Sequence, residues 1–342
     1  MNKLQILKAK TIQLFSKFST LILKIINSML MKFNLIIIKK ENCIFVKLIA
    51  VYTNPHKSSS EYPAECIIFS MDRALQLHAL LSSYFEKVTP PVPVHIFYRA
   101  SSNNHQKAYD EVFSFFEDYP VFAVHQKSKD SFKNQLITIL ESIQAEKVFF
   151  LVDDILVLED IDISDFSKID TLTTIASLRL GANLKRAYTV QKDQKLPPFI
   201  PDVISDNDKL CWKWEQGEFD WAYPLSVDGN LFSTREVVVL AKNTKFNSPN
   251  TFEANLQKYI EYFKHRYGVC YKKSKIVNIP LNKVQEDYDN LHGITHQDYL
   301  LEQWNNGMQI DYRALYGIIN ESAHQEIKIS FIKRNDRNDI LG

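Results

Sequence analysis

Lys147-Val148-Phe149-Phe150-Leu151-Val152-Asp153-Asp154-Ile155 is the stretch on which the reading of this chain turns. Five consecutive apolar residues are too few for a globular helix and suit a strand buried on both faces. Two carboxylates follow where such a strand would leave the core. Adjacent carboxylates repel and need a compensating cation or hydrogen-bond donor. Hard cations such as Mg²⁺ and Mn²⁺ favour carboxylate oxygens and keep open positions for phosphate oxygens. A strand-end Asp153-Asp154 pair is therefore suited to a metal that bridges a diphosphate. The competing reading is a surface turn whose aspartates cap the next element.

Upstream, the pattern repeats. Glu65–Ser70, Val92–Tyr98 and Val121–His125 read as strands, alternating with helices over Arg73–Phe85, His105–Asp118 and Ser131–Gln144. Leu77, Leu80, Leu81, Tyr84 and Phe85 share one face of the first helix. Spacing of roughly one βα unit per repeat predicts an α/β fold with a mostly parallel sheet flanked by helices. Ligands in such sheets bind beyond the carboxyl ends of the strands. That rule marks Ser70 to Arg73, Tyr98-Arg99, His125 to Lys127 and the aspartate pair. The chain has only eight glycines, and neither a Gly-x-Gly-x-x-Gly nor a P-loop follows the first strand. A dinucleotide fold or P-loop enzyme is thus excluded.

These motifs resemble the GT-A fold glycosyltransferases, members of the nucleotide-diphospho-sugar transferase superfamily that includes family 2 and the exostosin-like enzymes. Ile67-Ile68-Phe69-Ser70-Met71-Asp72-Arg73-Ala74-Leu75-Gln76-Leu77 is similar to their "S-x-[DN]-R-x-x-x-L" opening, and the apolar strand ending in Asp-Asp resembles their DxD region. The resemblance implies that Ser70, Asp72 and Arg73 contact the nucleotide, with Arg99 approaching from the second strand. It implies Asp154 as the direct ligand of Mn²⁺ or Mg²⁺, Asp153 assisting, and a late histidine, His292 or His296, completing the set. A motif of Val-Asp-Asp departs from DxD, since no acid stands at 152. Without the resemblance, Asp72 reads as a cap for the helix beginning at Arg73.

The second half offers the acceptor side. Thr173–Leu180 reads as a strand, followed by a cationic loop with Lys185 and Arg186, which would meet phosphate or acceptor. Leu196 to Asp208 reads as an irregular, proline-bearing loop. Trp212, Trp214, Phe219, Trp221 and Tyr223 form an aromatic cluster that suits either a sugar-binding platform or core packing. Two carboxylates compete for the role of general base. Asp228 precedes a glycine in Leu225–Ser233. Glu253 opens a helix expected to run to about Arg266, where a capping box with Asn250 would explain it without catalysis. Ile276 to Asn282 reads as a final strand leading back toward the site.

The first fifty residues are of another kind. They hold nine lysines and one acid, Glu41, although the whole chain carries a net charge of only +1. Near-neutrality gives no sign of nucleic-acid binding. Apolar residues from Ile12 to Met29 recur at helical spacing, interrupted by Lys17 and Lys24, too often for a spanning helix. Residues 1–53 are expected to be a basic amphipathic extension, with peripheral contact to an anionic membrane or packing on protein as the two readings. Residues 54–63 read as a linker, and 64–330 as the transferase domain, split near 160 into nucleotide-binding and acceptor halves. Four dispersed cysteines suit reduced thiols in the cytoplasm.

The expected function is transfer of a sugar from a nucleotide-diphosphate donor to a hydroxyl acceptor, whether glycan, lipid-linked glycan or protein. Nucleotidyl transfer on a related fold and non-catalytic sugar or nucleotide binding are the alternatives.

Overall fold

The computed structural model describes residues 44–53, 60–201, 206, 208–282 and 297–334. The chain divides into two compact units, residues 1–53 and 54–342. Of the first unit, α1 (Ile44–Thr53) is described. The amphipathic pattern of Ile12 to Met29 lies outside the described residues, as does His292. No helix among the described residues is long and apolar enough to cross a membrane.

The second unit is built on a five-stranded sheet. Its strands are β1 (Glu65–Met71), β2 (Val94–Arg99), β3 (Val121–His125), β4 (Lys147–Val152) and a later strand, Leu231–Ser233. Their order places β1 at the centre, with β4 and then Leu231–Ser233 on one side, and β2 and then β3 on the other. The first four are parallel, and Leu231–Ser233 runs antiparallel to β4. Between them lie α2 (Ala74–Lys87), α3 (Asn103–Phe115) and α4 (Phe132–Ser142). The βα repeat expected from hydrophobic spacing is thus present.

Strand alternation sorts the core into two layers. Cys66 and Ile68 of β1 join the α2 side with Leu77 and Leu80. Phe69 points the other way and packs on Phe150 and Phe132, 5.7 and 5.8 Å between ring centres. Residues 74 to 84 of α2 are buried throughout, not on one face. Its outer side is covered by α7 (Gln297–Asn305) and the strand Met308–Ile310. A stripe of leucines shows which face meets the sheet but not what later sequence covers the other.

Beyond β4 the chain departs from simple repetition. Asp153 and Asp154 form a two-residue turn into β5 (Ile155–Val157), which pairs antiparallel with Ile276–Asn278. β6 (Thr174–Ser177), β7 (Lys209–Lys213) and Tyr267–Tyr271 make a second, three-stranded sheet. In chain order the later strands are β8 (Leu231–Ser233), β9 (Tyr267–Tyr271), β10 (Ile276–Asn278), β11 (Met308–Ile310) and β12 (Phe331–Lys333). Helices α5 (Thr234–Asn243) and α6 (Pro249–Leu256) lie between β8 and β9.

Three expectations are corrected. The helix expected to reach Arg266 gives way after Leu256 to 3₁₀ turns ending at Tyr262. Ile276–Asn278 is not the final strand, since β11 and β12 follow and pair with each other. Trp212, Trp214 and Trp221 are 0–1% exposed and stack edge to face, so they are core and offer no ring to a ligand. Fully burying large aromatic side chains is worth about 2 kcal/mol or more each. Trp212 also rests on Gly268, where a Cβ would fall 2.3 Å from its ring.

Candidate active site

A cavity of about 880 Å³ opens at the carboxyl ends of β1, β2 and β4. Its wall takes Ser70, Arg73, Arg99, Asp153 and Asp154 from the first half, and Tyr223, Asp228 and Glu253 from the second. Two clusters of charge lie in it.

The first sits on the strand ends. The Asp153 amide continues the β1–β4 ladder by donating to Phe69 O at 3.1 Å, which fixes where its side chain emerges. Asp153 Oδ2 accepts from Ser70 Oγ at 2.8 Å and the Met71 amide at 3.1 Å, and Oδ1 accepts from Arg73 Nη1 at 2.9 Å. The same Nη1 reaches Asp154 Oδ2 at 3.4 Å, and Arg73 Nη2 donates to Asn282 O. Asn278 Nδ2 donates to Asp154 Oδ1 at 3.2 Å. Tyr109 OH shares a 2.6 Å hydrogen bond with Ser70 Oγ and accepts from the Arg73 amide. Burial, with the nearby Asp153 and Asp228 charges, pushes Asp154 up to about 7, against the pull of Arg73.

The second cluster is assembled from loops. Arg179, at the end of the segment following β6, donates to Ser226 Oγ at 2.9 Å and pairs with Asp220. It also stands 3.6 Å from Asp228 Oδ2, which lies 3.5 Å from His324 Nε2. Gly229 holds the turn: its φ is +76°, and a Cβ there would fall 2.5 Å from Ile276 Cδ1. Its amide donates to Phe150 O and its carbonyl accepts from the Leu178 amide, so Asp228 is pinned between the two sheets. Glu253 arrives on α6. There Ser248 and Thr251 form the capping box and Pro249 opens the first turn. Glu253 is therefore not a cap, which corrects the capping-box expectation, and its Oε1 accepts from the Val227 amide at 3.0 Å. Burial and the neighbouring Asp228 charge push it up to about 7, while Arg179 opposes them. Burial lowers His324, although Asp228 favours its charged form.

Not all expected residues gather here. Asp72 does not line the cavity, and its turn is left-handed, φ +54°. Its Oδ1 accepts from the Ser101 amide at 2.7 Å, so it clasps the loop after β2 rather than capping α2, whose N-cap is Arg73. Lys185 and Arg186 are exposed and lie outside the cavity wall, and Arg186 bonds Gln191. Their neighbours Tyr188, Thr189 and Val190 line it instead. Asn278, Pro280 and Asn282 confirm that the segment after β9 returns to the site. His324 enters the cavity, while the expected His292 and His296 lie outside the described residues. Arg179 closes the strand-like run Thr173–Leu180, so the strand-end rule would have found it. No local pattern marks His324, which a backbone bridge to Asn278 brings into place.

A divalent metal needs several free oxygen ligands. Both oxygens of Asp153 are already taken by protein donors, and the Arg73 guanidinium lies against both carboxylates. Among the described residues, no three His, Cys, Asp or Glu side chains are grouped to hold a metal ion. Arg73 is thus a compensating cation for the pair, and a metal would be held through Asp154 rather than through Asp153.

No family model matches the chain, and no curated protein matches it. Similar solved structures include a 4-diphosphocytidyl-2C-methyl-D-erythritol synthase from Anaerococcus prevotii DSM 20548, at 10% identity and TM-score 0.37, over 71% of this chain and 96% of that one. TarS of S. aureus is similar at 10% identity and TM-score 0.39, over 70% of this chain and 38% of that one. The mannosyltransferase PcManGT from Pyrobaculum calidifontis, in complex with GDP-Man and Mn²⁺, is similar at 14% identity and TM-score 0.30, over 43% of this chain and 50% of that one.

Proposed function

We propose that the protein transfers a sugar from a nucleoside-diphosphate donor to a hydroxyl acceptor. One observation carries this. A single cavity at parallel strand ends holds cationic side chains, Arg99 and Lys129, and a carboxylate, Glu253, with proton affinity near neutrality. A general base works best with a pKa close to the operating pH. The Ser70–Arg73 opening and the Asp153-Asp154 strand end, which resemble those of GT-A enzymes, support the same reading.

In this scheme the diphosphate pairs with Arg99 and Lys129 along the ends of β2 and β3. Asp153, locked by Ser70 and Arg73, keeps the strand ends at fixed distance and presents Asp154 to the sugar. Glu253 removes the acceptor proton, with Asp228 as the alternative base. Arg179 holds Asp228 in place, and positioning with charge stabilisation supplies most of the rate. Because a carboxylate is available as base for the acceptor hydroxyl, inversion at the anomeric carbon is the expected outcome.

The test is release of nucleoside diphosphate from UDP- and GDP-sugars, with EDTA or with Mn²⁺, set beside pyrophosphate release from nucleoside triphosphates and sugar phosphates. Diphosphate release that grows with added hydroxyl acceptors supports the proposal. Pyrophosphate release, or no turnover and no donor binding, sinks it.

A further inference from the structure

The three buried tryptophans leave the acceptor without the platform that the sequence suggested. They do, however, build the turn that carries a different ring. Trp221 donates its amide to Glu218 O at 3.0 Å, and a Cβ on Gly217 would fall 2.2 Å from Trp221 O, so the turn cannot loosen. Glu218 is tied to the Lys195 amide. The Asp220 amide donates to Gln194 Oε1, and the Asp220 carboxylate pairs with Arg179. Residues on both sides of position 219 are thereby fixed.

Between them Phe219 adopts φ +48°. A bulky aromatic in the left-handed region is a strained outlier, and such outliers persist where the surroundings impose them, most often at functional sites. The strain has a visible result. Phe219 is 38% exposed and lines the cavity, with Val190 beside it as the other exposed large apolar residue on that wall. Lys192 Nζ lies 5.8 Å from the ring centre. One guanidinium, Arg179, links the residue next to Phe219 with Asp228, and the ring and both candidate bases line the same cavity.

An aromatic face beside carboxylates matches a pyranose. The ring's C–H face is apolar and packs on an aromatic surface, while its hydroxyls donate to carboxylates. We propose that Phe219 is the platform on which a pyranose unit of the acceptor packs, and that the strained turn exists to hold it there. The proposal rests on the transferase reading and names its acceptor class. Tyr188 and Tyr223, on the same wall, would flank the sugar.

The probes are the methyl glycosides of glucose, mannose, galactose and N-acetylglucosamine, added to the full chain. Saturation-transfer NMR should show magnetisation passing to the ring C–H protons of at least one of them. Phe219→Ala should abolish that signal and raise the glycoside KM about tenfold, equivalent to about 1.4 kcal/mol, with a smaller effect on kcat. Phe219→Trp should retain both. Phe219→Gly should lose glycoside binding as Ala does, yet melt about 2 °C higher because the strain is relieved. Phe122→Ala, at an exposed ring outside the cavity, is the control. Unchanged saturation and KM in Phe219→Ala would overturn the proposal. So would donor turnover with glycerol or a serine peptide as acceptor in the absence of any pyranoside signal. The NMR arm reads the platform without turnover, so failure of the transferase reading and failure of the platform give different results.

Discussion

Each of the two charge clusters is centred on one arginine that holds one carboxylate closely, Asp153 or Asp220, and a second at longer range, Asp154 or Asp228. The two differ in how fully protein donors occupy Asp153 and Asp228. Around Arg73, the Asp153 contacts lie at 2.8 to 3.1 Å and both of its oxygens are filled. Around Arg179, the approach to Asp228 is 3.6 Å, and His324 stands 3.5 Å from the same oxygen. The first cluster comes from consecutive strand-end residues whose positions the parallel ladder dictates. The second comes from segments far apart in sequence: the run after β6, the turns at Asp220 and Asp228, helix α6 and the backbone at His324. Tight pairing in a buried site holds backbone in place, whereas looser spacing leaves room for a substrate hydroxyl and for a proton to move. Chemistry is therefore expected in the second cluster and architecture in the first.

The largest effect should come from removing the base. Glu253→Gln keeps shape and the Val227 hydrogen bond but cannot accept a proton. A drop in kcat of about 10² to 10⁴ is expected from the usual contribution of a general base, with donor affinity little altered. Asp228→Asn, measured in the same assay, decides between the two candidates. If Asn at 228 costs far more than Gln at 253, the roles exchange. If neither substitution lowers kcat, the loose cluster is not the catalytic one.

Arg73→Ala should instead be felt in folding. It leaves two buried carboxylates facing each other without their cation. Breaking a buried pair in this way costs about 3–5 kcal/mol, to be read from urea unfolding. The Arg179→Ala variant should lose less stability, because Asp228 keeps His324 and Asp220 keeps the Gln194 side chain as partners. Equal losses would erase the distinction between the clusters.

The clusters differ in the same way in how far sequence alone exposes them. Alternating apolar runs and helical stripes are local, so β1 to β4, α2 to α4 and the strand-end residues Ser70, Arg73, Arg99, Asp153 and Asp154 could be read directly. The second cluster depends on which loops return to the cavity, and no local period encodes that. Asp228 and Glu253 are legible as carboxylates near a glycine and a helix start, and Arg179 as the end of a strand-like run, but Asp220 and His324 are not. Lys185 and Arg186 stand out in sequence as adjacent cations, although the nearby residues Tyr188 to Val190 are those that face the cavity. The tryptophans misled for a related reason. Their spacing is the same whether they serve a ligand or a core, and only tertiary burial decides. Asn320-Glu321-Ser322 likewise has the local pattern of a glycosylation site, yet Asn320 is fully buried and bonded to Ser274 and Asn183.

Acidity couples the two clusters. Asp228 raises both Asp154 and Glu253, after burial itself, and each is pushed up to about 7. Folded carboxylates that hold protons more tightly than the unfolded chain stabilise the fold below the unfolded pKa of about 4, and that contribution is lost as pH rises through about 7. Between these limits the unfolded state binds fewer protons, so unfolding free energy should fall with pH. Asp154→Asn and Glu253→Gln should each flatten part of that slope. Activity should move in the opposite direction, rising through about pH 7 as the base loses its proton. The midpoint belongs to the coupled set rather than to one residue. A stability profile flat from pH 4.5 to 7.5 would show that these carboxylates are not held protonated.

The smallest effect separates the clusters most finely, because it removes a single hydroxyl from each. Tyr109→Phe takes the acceptor from the Arg73 amide and the partner from Ser70, both buried or partly so. A cost of about 1–2 kcal/mol in stability follows from leaving such groups unpaired, and the pH–rate profile should keep its midpoint. Ser226→Ala removes an acceptor from Arg179 and from the Asp228 amide, together with a hydrogen bond that lowers Glu253. Its stability cost should be about 1 kcal/mol or less, since Arg179 retains Asp220. Its kinetic mark is an upward shift of the midpoint, because the charged form of Glu253 loses a donor. A shifted profile for Tyr109→Phe with an unshifted one for Ser226→Ala would reverse the assignment of structure to the first cluster and chemistry to the second.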